Sequence, residues 1–213
     1  IDVMNNISID CDCDGNPHKP TIQDIGIAAS IDPVALDRFC LDQVFNLTPD
    51  ENNDNAALLE RINLRHGIRI VTRAEENGLQ PAYVAAVVLA ESSYQPEAVS
   101  SANAQGLMQL LPSTAEWIAG KLDETYVEGC LLDPDTNVKY GCWYLGFLMR
   151  RYGGNMCCAS AAYHAGQGTV DAWLKNPEYS ADGVTLDAMG YATTQTYVER
   201  VLKYYEKYER LYA

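Results

Sequence analysis

The sequence predicts a mainly helical domain with at most a small sheet or hairpin, preceded by a segment of different character. Three observations carry this. The run Val84 to Ala90 is apolar on every side, and Pro81 suits a first helical turn, so the stretch reads as a helix buried all round. Asp133-Pro134 pairs a capping residue with a first-turn proline, and Val138, Cys142, Leu145, Leu148 and Met149 then fall on one face of a helix reaching Tyr152. Gly153-Gly154 stops that helix, and no repeat or low-complexity tract interrupts the pattern.

Taken in order, Asn6 to Pro20 is polar and rich in turn residues and reads as loop. Ile22, Ile25 and Ile27 suggest a short buried strand, and Asp32-Pro33 starts a helix carrying Leu36, Phe39, Cys40 and Val44. Leu47 to Asn55 is an acidic surface loop, Ala56 to Leu64 a short helix, and the boundary falls near Gly67, leaving 1–67 as an α/β extension and 68–213 as the main domain. Arg73 to Val87 contains an acidic helix ending in glycine and the start of the buried one. Residues 92–106 form a loop that Gly106 ends, Leu111 to Leu122 a helix, and Asn155 caps another that leads to Tyr163 and His164. Gln167 to Leu174 makes one more helix, residues 179–194 a loop, and Gln195 to Tyr212 a tyrosine-rich closing helix.

Composition narrows the function classes. At 213 residues with 47% hydrophobic and 21% charged, the chain is globular. A net charge of -14, with no basic run, argues against nucleic acid as a partner. No apolar run reaches the roughly eighteen residues a membrane span needs, so no span is expected. No charged and apolar leader precedes Ile1, so a signal peptide or anchor is expected to lie outside this chain or to have been removed. Seven cysteines, at 11, 13, 40, 130, 142, 157 and 158, leave at least one unpaired. They contain neither a CxxC pair nor a zinc-finger set, so no metal and no cofactor is expected, and Cys142, Cys157 and Cys158 read as small buried hydrophobes.

Glu91 stands at the end of the apolar run. A carboxyl leaving the core there is desolvated on one side, which raises its pKa toward the range useful to a general acid near neutral pH. Taken alone, Glu91 reads equally well as a solvated glutamate at a helix C-terminus. Its surroundings decide between the two. Glu91-Ser92, GLMQL from Gly106 to Leu110, AAYHAG from Ala161 to Gly166 and TYVERV from Thr196 to Val201 occur in an order and spacing that resemble the catalytic domain of soluble lytic transglycosylases. The resemblance covers about Gly67 to Ala213. It implies a lysozyme-like α+β domain, similar to goose-type lysozyme, with a cleft beneath Glu91.

The same resemblance implies an enzyme of the bacterial cell wall that acts outside the cytoplasm on peptidoglycan glycan strands. One glutamate serves as acid and then as base, the substrate's acetamido group supports the cation, and a 1,6-anhydro sugar is formed without water. Glu91 is then the catalytic residue, and the next acids, Glu97 and Glu116, lie outside the motifs. Ser92 and Gln109 offer neutral hydrogen bonds to the sugar, Gly106 lets backbone approach the glycan, and Leu107 belongs to the same substrate-binding group. Met108 gives an apolar cleft wall, and Tyr163 and Tyr197 bring phenols within reach of Glu91 or the acetamido group. His164 departs from the family, which usually has asparagine there; it reads either as a substitute donor that titrates or as a structural histidine.

Residues 11–45 resemble the C-terminal end of a family of uncharacterised iron–sulfur centre proteins, without that family's clustered ferredoxin-type cysteines. Cys11 and Cys13, among Asp10, Asp12 and Asp14, are too few thiolates for a closed metal site, so an ordered structural addition is expected. The junction at Arg73 to Val87 fits both families, the pattern that a natural or engineered fusion leaves. Three rival readings stay open: a hydrolase on the same fold, a non-catalytic peptidoglycan-binding module, and a metal-binding protein centred on Cys11 and Cys13. Nothing in the pattern speaks to oligomeric state.

Overall fold

The computed structural model describes residues 2–4, 26–28 and 70–212, and the chain divides into two compact units, Ile1–Gly67 and Ile68–Ala213. In the first unit, β1 (Asp2–Met4) and β2 (Gly26–Ala28) pair antiparallel, with Val3 opposite Ile27. Ile27 therefore lies in a strand, as its sequence suggested, and its partner strand lay outside every expected element. The expectations for Cys11, Cys13, Cys40, Ile22, Ile25, the helices at 36–44 and 56–64 and the loop at 47–55 fall outside the described residues.

The second unit is mainly helical. Its elements are α1 (Ile70–Glu76), α2 (Pro81–Ser92), α3 (Pro112–Lys121), a 3-10 turn at Cys130–Leu132, α4 (Pro134–Arg151), α5 (Met156–Ala165), α6 (Gln167–Leu174) and α7 (Ala192–Tyr212). Two isolated bridges, Val99 to Gln105 and Gln105 to Leu110, are the extended pairing among its described residues.

Helix α2 is the centre of this unit. Pro81 sits in its first turn, where a missing N–H costs nothing, and Ala82 through Val88 are all buried. Burying Val84, Val87 and Val88 contributes about 1.5–3 kcal/mol each, relative to leaving them in water. The small residues Ala82, Ala85 and Ala86 let neighbouring helices approach closely. Packed around α2 are α7 with Tyr197, Val198, Val201 and Tyr208, α4 with Val138, Cys142, Leu145 and Leu148, and α5 with Cys158, Ala159, Ala161 and Ala162. Tyr83 ties α2 to α5, its hydroxyl 2.8 Å from Ser160 Oγ. A second apolar cluster of Leu110, Ala115, Ile118, Ala119, Leu131 and Tyr140 fills the space among α3, the 3-10 turn and α4.

Helix boundaries follow the expected chemistry. Asp133 accepts from the Thr136 amide at 2.8 Å, Asn155 accepts from the Cys158 amide at 3.0 Å, and α4 stops before the left-handed Gly153 and Gly154. One boundary differs, since α7 begins at Ala192 rather than Gln195. Threonines at 193 and 194 are weak local helix formers, but Thr194 is fully buried and its hydroxyl meets His164 Nδ1 at 3.1 Å, a tertiary contact that overrides propensity. Cys142 and Cys158 are buried, Cys130 and Cys157 half-buried, and all four are free thiols. Burial pushes the Cys142 thiol well up and that of Cys158 to about 11, so both stay protonated as small hydrophobes.

Candidate active site

Glu91 lies in the last turn of α2, half-buried. Loss of solvation at the edge of the core pushes its carboxyl up to about 7, against the opposing pull of the Tyr197 phenol and the Arg200 guanidinium. Among the described residues, the side chains that act on it are this phenol and this guanidinium, neither of them a carboxylate. Glu97 and Glu116 are both solvent-exposed.

The chain turns sharply after α2. Ser93 and Tyr94 are both left-handed, with φ of 52° and 62°, a conformation that costs non-glycine residues about 1–3 kcal/mol each. The surroundings hold it: the Ser93 amide donates to Leu89 O at 3.2 Å, and the Tyr94 hydroxyl meets Ala85 O and Tyr208 Oη, both at 3.1 Å. Glu91 is thus carried by a helix end that is fixed on both sides.

The GLMQL turn, residues 106–110, is organised by Asn137 of α4. This asparagine is fully buried, donates through Nδ2 to Gln105 O at 2.8 Å and Leu131 O at 2.9 Å, and accepts from the Met108 amide at 2.7 Å. A Cβ on Gly106 would collide with the Asn137 side chain and the Leu131 carbonyl, and its φ is 75°. That corrects the expected role of Gly106: the space beside it holds Asn137, not glycan. Leu107 and Met108 are also corrected, because their side chains are buried in the core, with Met108 filling the notch left by Gly141. Met108 is no cleft wall. What this turn presents outward is Gln109, left-handed at φ 47°, whose Nε2 donates to Ala98 O at 3.0 Å and Gly106 O at 2.9 Å. Its amide oxygen makes no hydrogen bond among the described residues.

Ser92 Oγ donates back to Val88 O at 3.3 Å, so its proton is committed to the helix and its lone pairs are what it can offer. Tyr163 donates to Met108 O at 2.8 Å, which spends the phenol on the turn instead of on Glu91. Burial, and then the field of the Glu91 carboxylate, push its own pKa well up. Tyr197 is the phenol that serves Glu91. It is buried, and though it stabilises the ionised carboxyl, the pair falls outside normal hydrogen-bond geometry and the hydroxyl is left without a partner.

An unsatisfied buried hydroxyl has a readable signature. Tyr197→Phe is expected to leave stability unchanged or raise it by about 1 kcal/mol, since no hydrogen bond is lost and a desolvated group is removed. It should also raise the Glu91 pKa above that of the wild type. Thermal unfolding and carbon-13 titration of labelled glutamate check the two halves, and marked destabilisation would show that the hydroxyl has a partner after all.

His164 stacks on Tyr197 with ring centroids 4.7 Å apart, and burial and then Arg200 lower its pKa. An open cavity of about 330 Å³ lies here, lined by His164, Ala192, Thr193, Thr196, Tyr197 and Arg200. The structure thus brings Glu91, Tyr197 and Arg200 together, with His164 joined to them through the Tyr197 ring. Sequence reasoning missed Asn137 and Arg200. A signal existed for each: Asn137 shares the buried α4 face with Gly141 and Leu145, and Arg200 lies inside TYVERV. Among the described residues no cluster of three or more His, Cys, Asp or Glu is placed to hold a metal.

Comparison with known proteins gives these features a family. The soluble lytic murein transglycosylase of Salmonella typhimurium is 33% identical over 69% of this chain and 23% of its own length. That of Escherichia coli K12 is 36% identical over 57% of this chain and 19% of its own. Among solved structures, an inactive glutamate-to-glutamine mutant of the lytic transglycosylase Slt from Pseudomonas aeruginosa matches with a TM-score of 0.61 and 30% identity, covering 83% of this chain and 29% of that one. The 70 kDa soluble lytic transglycosylase of Escherichia coli matches with a TM-score of 0.62 and 29% identity, over 72% of this chain and 25% of that one. The mainly helical unit therefore has the lysozyme-like fold of lytic transglycosylases, and the chain spans only 19% to 29% of the length of these relatives. Residues 1–42 match a separate domain of unknown function (DUF362), and residues 69–183 match the transglycosylase SLT domain. Since that second match runs over more than half of the sequence, the chain belongs to the transglycosylase SLT domain family.

Proposed function

We propose that residues 68–213 are the catalytic unit of a peptidoglycan lytic transglycosylase in which Glu91 acts alone, first as acid and then as base. The observation that carries this reading is the Glu91 carboxyl itself: held to about 7 by burial, it is protonated in a useful fraction near neutral pH and can take a proton back after giving one up. That a glutamate-to-glutamine change inactivates the Pseudomonas aeruginosa relative is in keeping with such a role.

The steps follow from what a lone carboxyl can do. Glu91 protonates the oxygen leaving N-acetylmuramic acid, the bond from that oxygen to the anomeric carbon breaks, and the sugar's own acetamido oxygen stabilises the cationic carbon. The sugar's 6-hydroxyl then attacks the same carbon while its proton passes to Glu91. No water is consumed, no cofactor enters, and the acid is regenerated. The groups left free to meet sugar are Gln109 Oε1 and Ser92 Oγ as acceptors, with His164 at the cavity edge, while the buried Tyr197 hydroxyl acts on Glu91 from behind. Gly106, Leu107, Met108 and Tyr163 act behind them, by fixing the turn.

Murein lies outside the cytoplasm, so the working place is the cell envelope, and no helix among the described residues is long and apolar enough to cross a membrane. The product decides between this enzyme and a hydrolase. Muropeptides released from purified peptidoglycan are expected to end in 1,6-anhydro-N-acetylmuramic acid, lighter by one water than a hydrolysed end and resistant to borohydride. A held 6-hydroxyl competes at an effective concentration that bulk water does not match. Predominantly reducing ends would instead point to a water-activating group, with Glu97 and Glu116 the first to test.

A further inference from the structure

We propose that Arg200 is a positioning residue for Glu91, tying the end of α2 to α7 and holding a fixed positive charge beside the carboxyl. The inference rests on the reading of Glu91 as the acid. Arg200 comes from the far end of the chain, and its Nη2 donates to Ala90 O at 3.0 Å. That carbonyl belongs to the last turn of α2, where carbonyls lack an intrahelical partner and the helix dipole is negative, so a guanidinium satisfies both needs. The bonded residue is the immediate neighbour of Glu91, so the contact sets the direction in which the helix end points.

The same guanidinium lies over the Tyr197 ring, 5.8 Å from its centroid, and His164 stacks on that ring with centroids 4.7 Å apart. Tyr197 thus links Arg200 and His164, and Tyr197 and Arg200 both act on Glu91. The groups that face the carboxyl are few. From α7 come Arg200 and Tyr197, and from α5 comes Tyr163, which is neutral and already bonded to Met108 O. Arg200 is the permanent charge among them. It opposes the effect of burial on Glu91 and adds to the effect of burial on His164, so one side chain acts on two titrating groups.

A charge acting on the carboxyl has a consequence that mere packing lacks. Removing it makes the ionised carboxyl less favourable, so Glu91 should hold its proton to higher pH. For Arg200→Gln the alkaline limb of kcat/KM is expected to move up by about half a pH unit or more, the lower part of the range for a nearby charge because the guanidinium is exposed. Arg200→Lys keeps the charge without the planar fork and should leave the limb near its wild-type position, with a loss confined to kcat. Carbon-13 titration of labelled glutamate, assigned with Glu91→Gln, reads the same shift with no substrate present.

A folded Arg200→Gln protein whose Glu91 titrates as in the wild type would overturn the proposal, and so would an equal shift in Arg200→Lys. Full activity in Glu91→Gln would overturn the assignment of the acid instead, while the titration would still decide whether Arg200 governs that carboxyl.

Discussion

Glu91→Gln is expected to lower turnover of purified peptidoglycan by about a thousandfold or more and, at the same time, to make the protein more stable at alkaline pH. The first half follows from the chemistry, since a near-isosteric amide can neither donate nor recover a proton. The second follows from linkage. The carboxyl has an ordinary value of 4.5 and a folded value of about 7, so the folded state binds its proton more tightly than the unfolded chain does. That contribution is complete below 4.5 and is lost as pH rises through 7. Each unit is worth about 1.36 kcal/mol, which sets a ceiling of roughly 3 kcal/mol on the advantage of the amide above pH 8 and none near pH 4. Denaturant unfolding of both proteins at the two pH values measures it. Equal stabilities at pH 8.5 would mean that the carboxyl is solvated, which removes the basis for its role as an acid.

Asn137→Ala carries the largest expected loss of stability. The side chain satisfies the Met108 amide and the carbonyls of Gln105 and Leu131 in a fully buried position. Truncation leaves the Met108 amide and the Leu131 carbonyl desolvated without partners at about 1–3 kcal/mol each, while Gln105 O keeps the Leu110 amide at 3.1 Å, and water entering the vacated space offsets only part of the loss of these bonds and of packing. A net loss of about 4 kcal/mol is expected in urea unfolding. Activity should fall further than the folded fraction does, because the turn bearing Gln109 loses its anchor. A loss below about 1 kcal/mol would show that the bonds from Tyr163 and Gln109 hold the turn without Asn137.

These two residues mark what the sequence made legible. Glu91 was readable because a local signal reported its environment: an uninterrupted apolar run predicts a buried helix, and a carboxyl at its end must feel that burial. The helices at Pro81, Pro112 and Pro134 were readable for a similar reason, since each begins with a proline where a helix tolerates one. The roles within GLMQL were not. A motif marks residues that occur together, but whether Met108 faces substrate or core depends on Gly141, thirty-three positions away in the chain, which leaves a notch that Met108 fills. Likewise, Tyr163 and Tyr197 look alike as motif tyrosines, and only the position of the Met108 carbonyl sends one phenol to the turn and leaves the other beside the acid. Strand β1 escaped because three residues carry too little pattern to be read without their partner.

The bond from Arg200 to Ala90 joins positions 110 apart in the chain, and that separation bears on when the enzyme comes into being. A ribosome adding about 5–20 residues per second needs on the order of 5–20 seconds to go from one to the other. Throughout that interval the segment that becomes α2 has neither Tyr197 nor Arg200 to pack against, and Glu91 is an ordinary acid exposed to solvent. The raised pKa is therefore a property of a chain that has reached α7, and a nascent or clipped protein that lacks this helix loses the groups that set it.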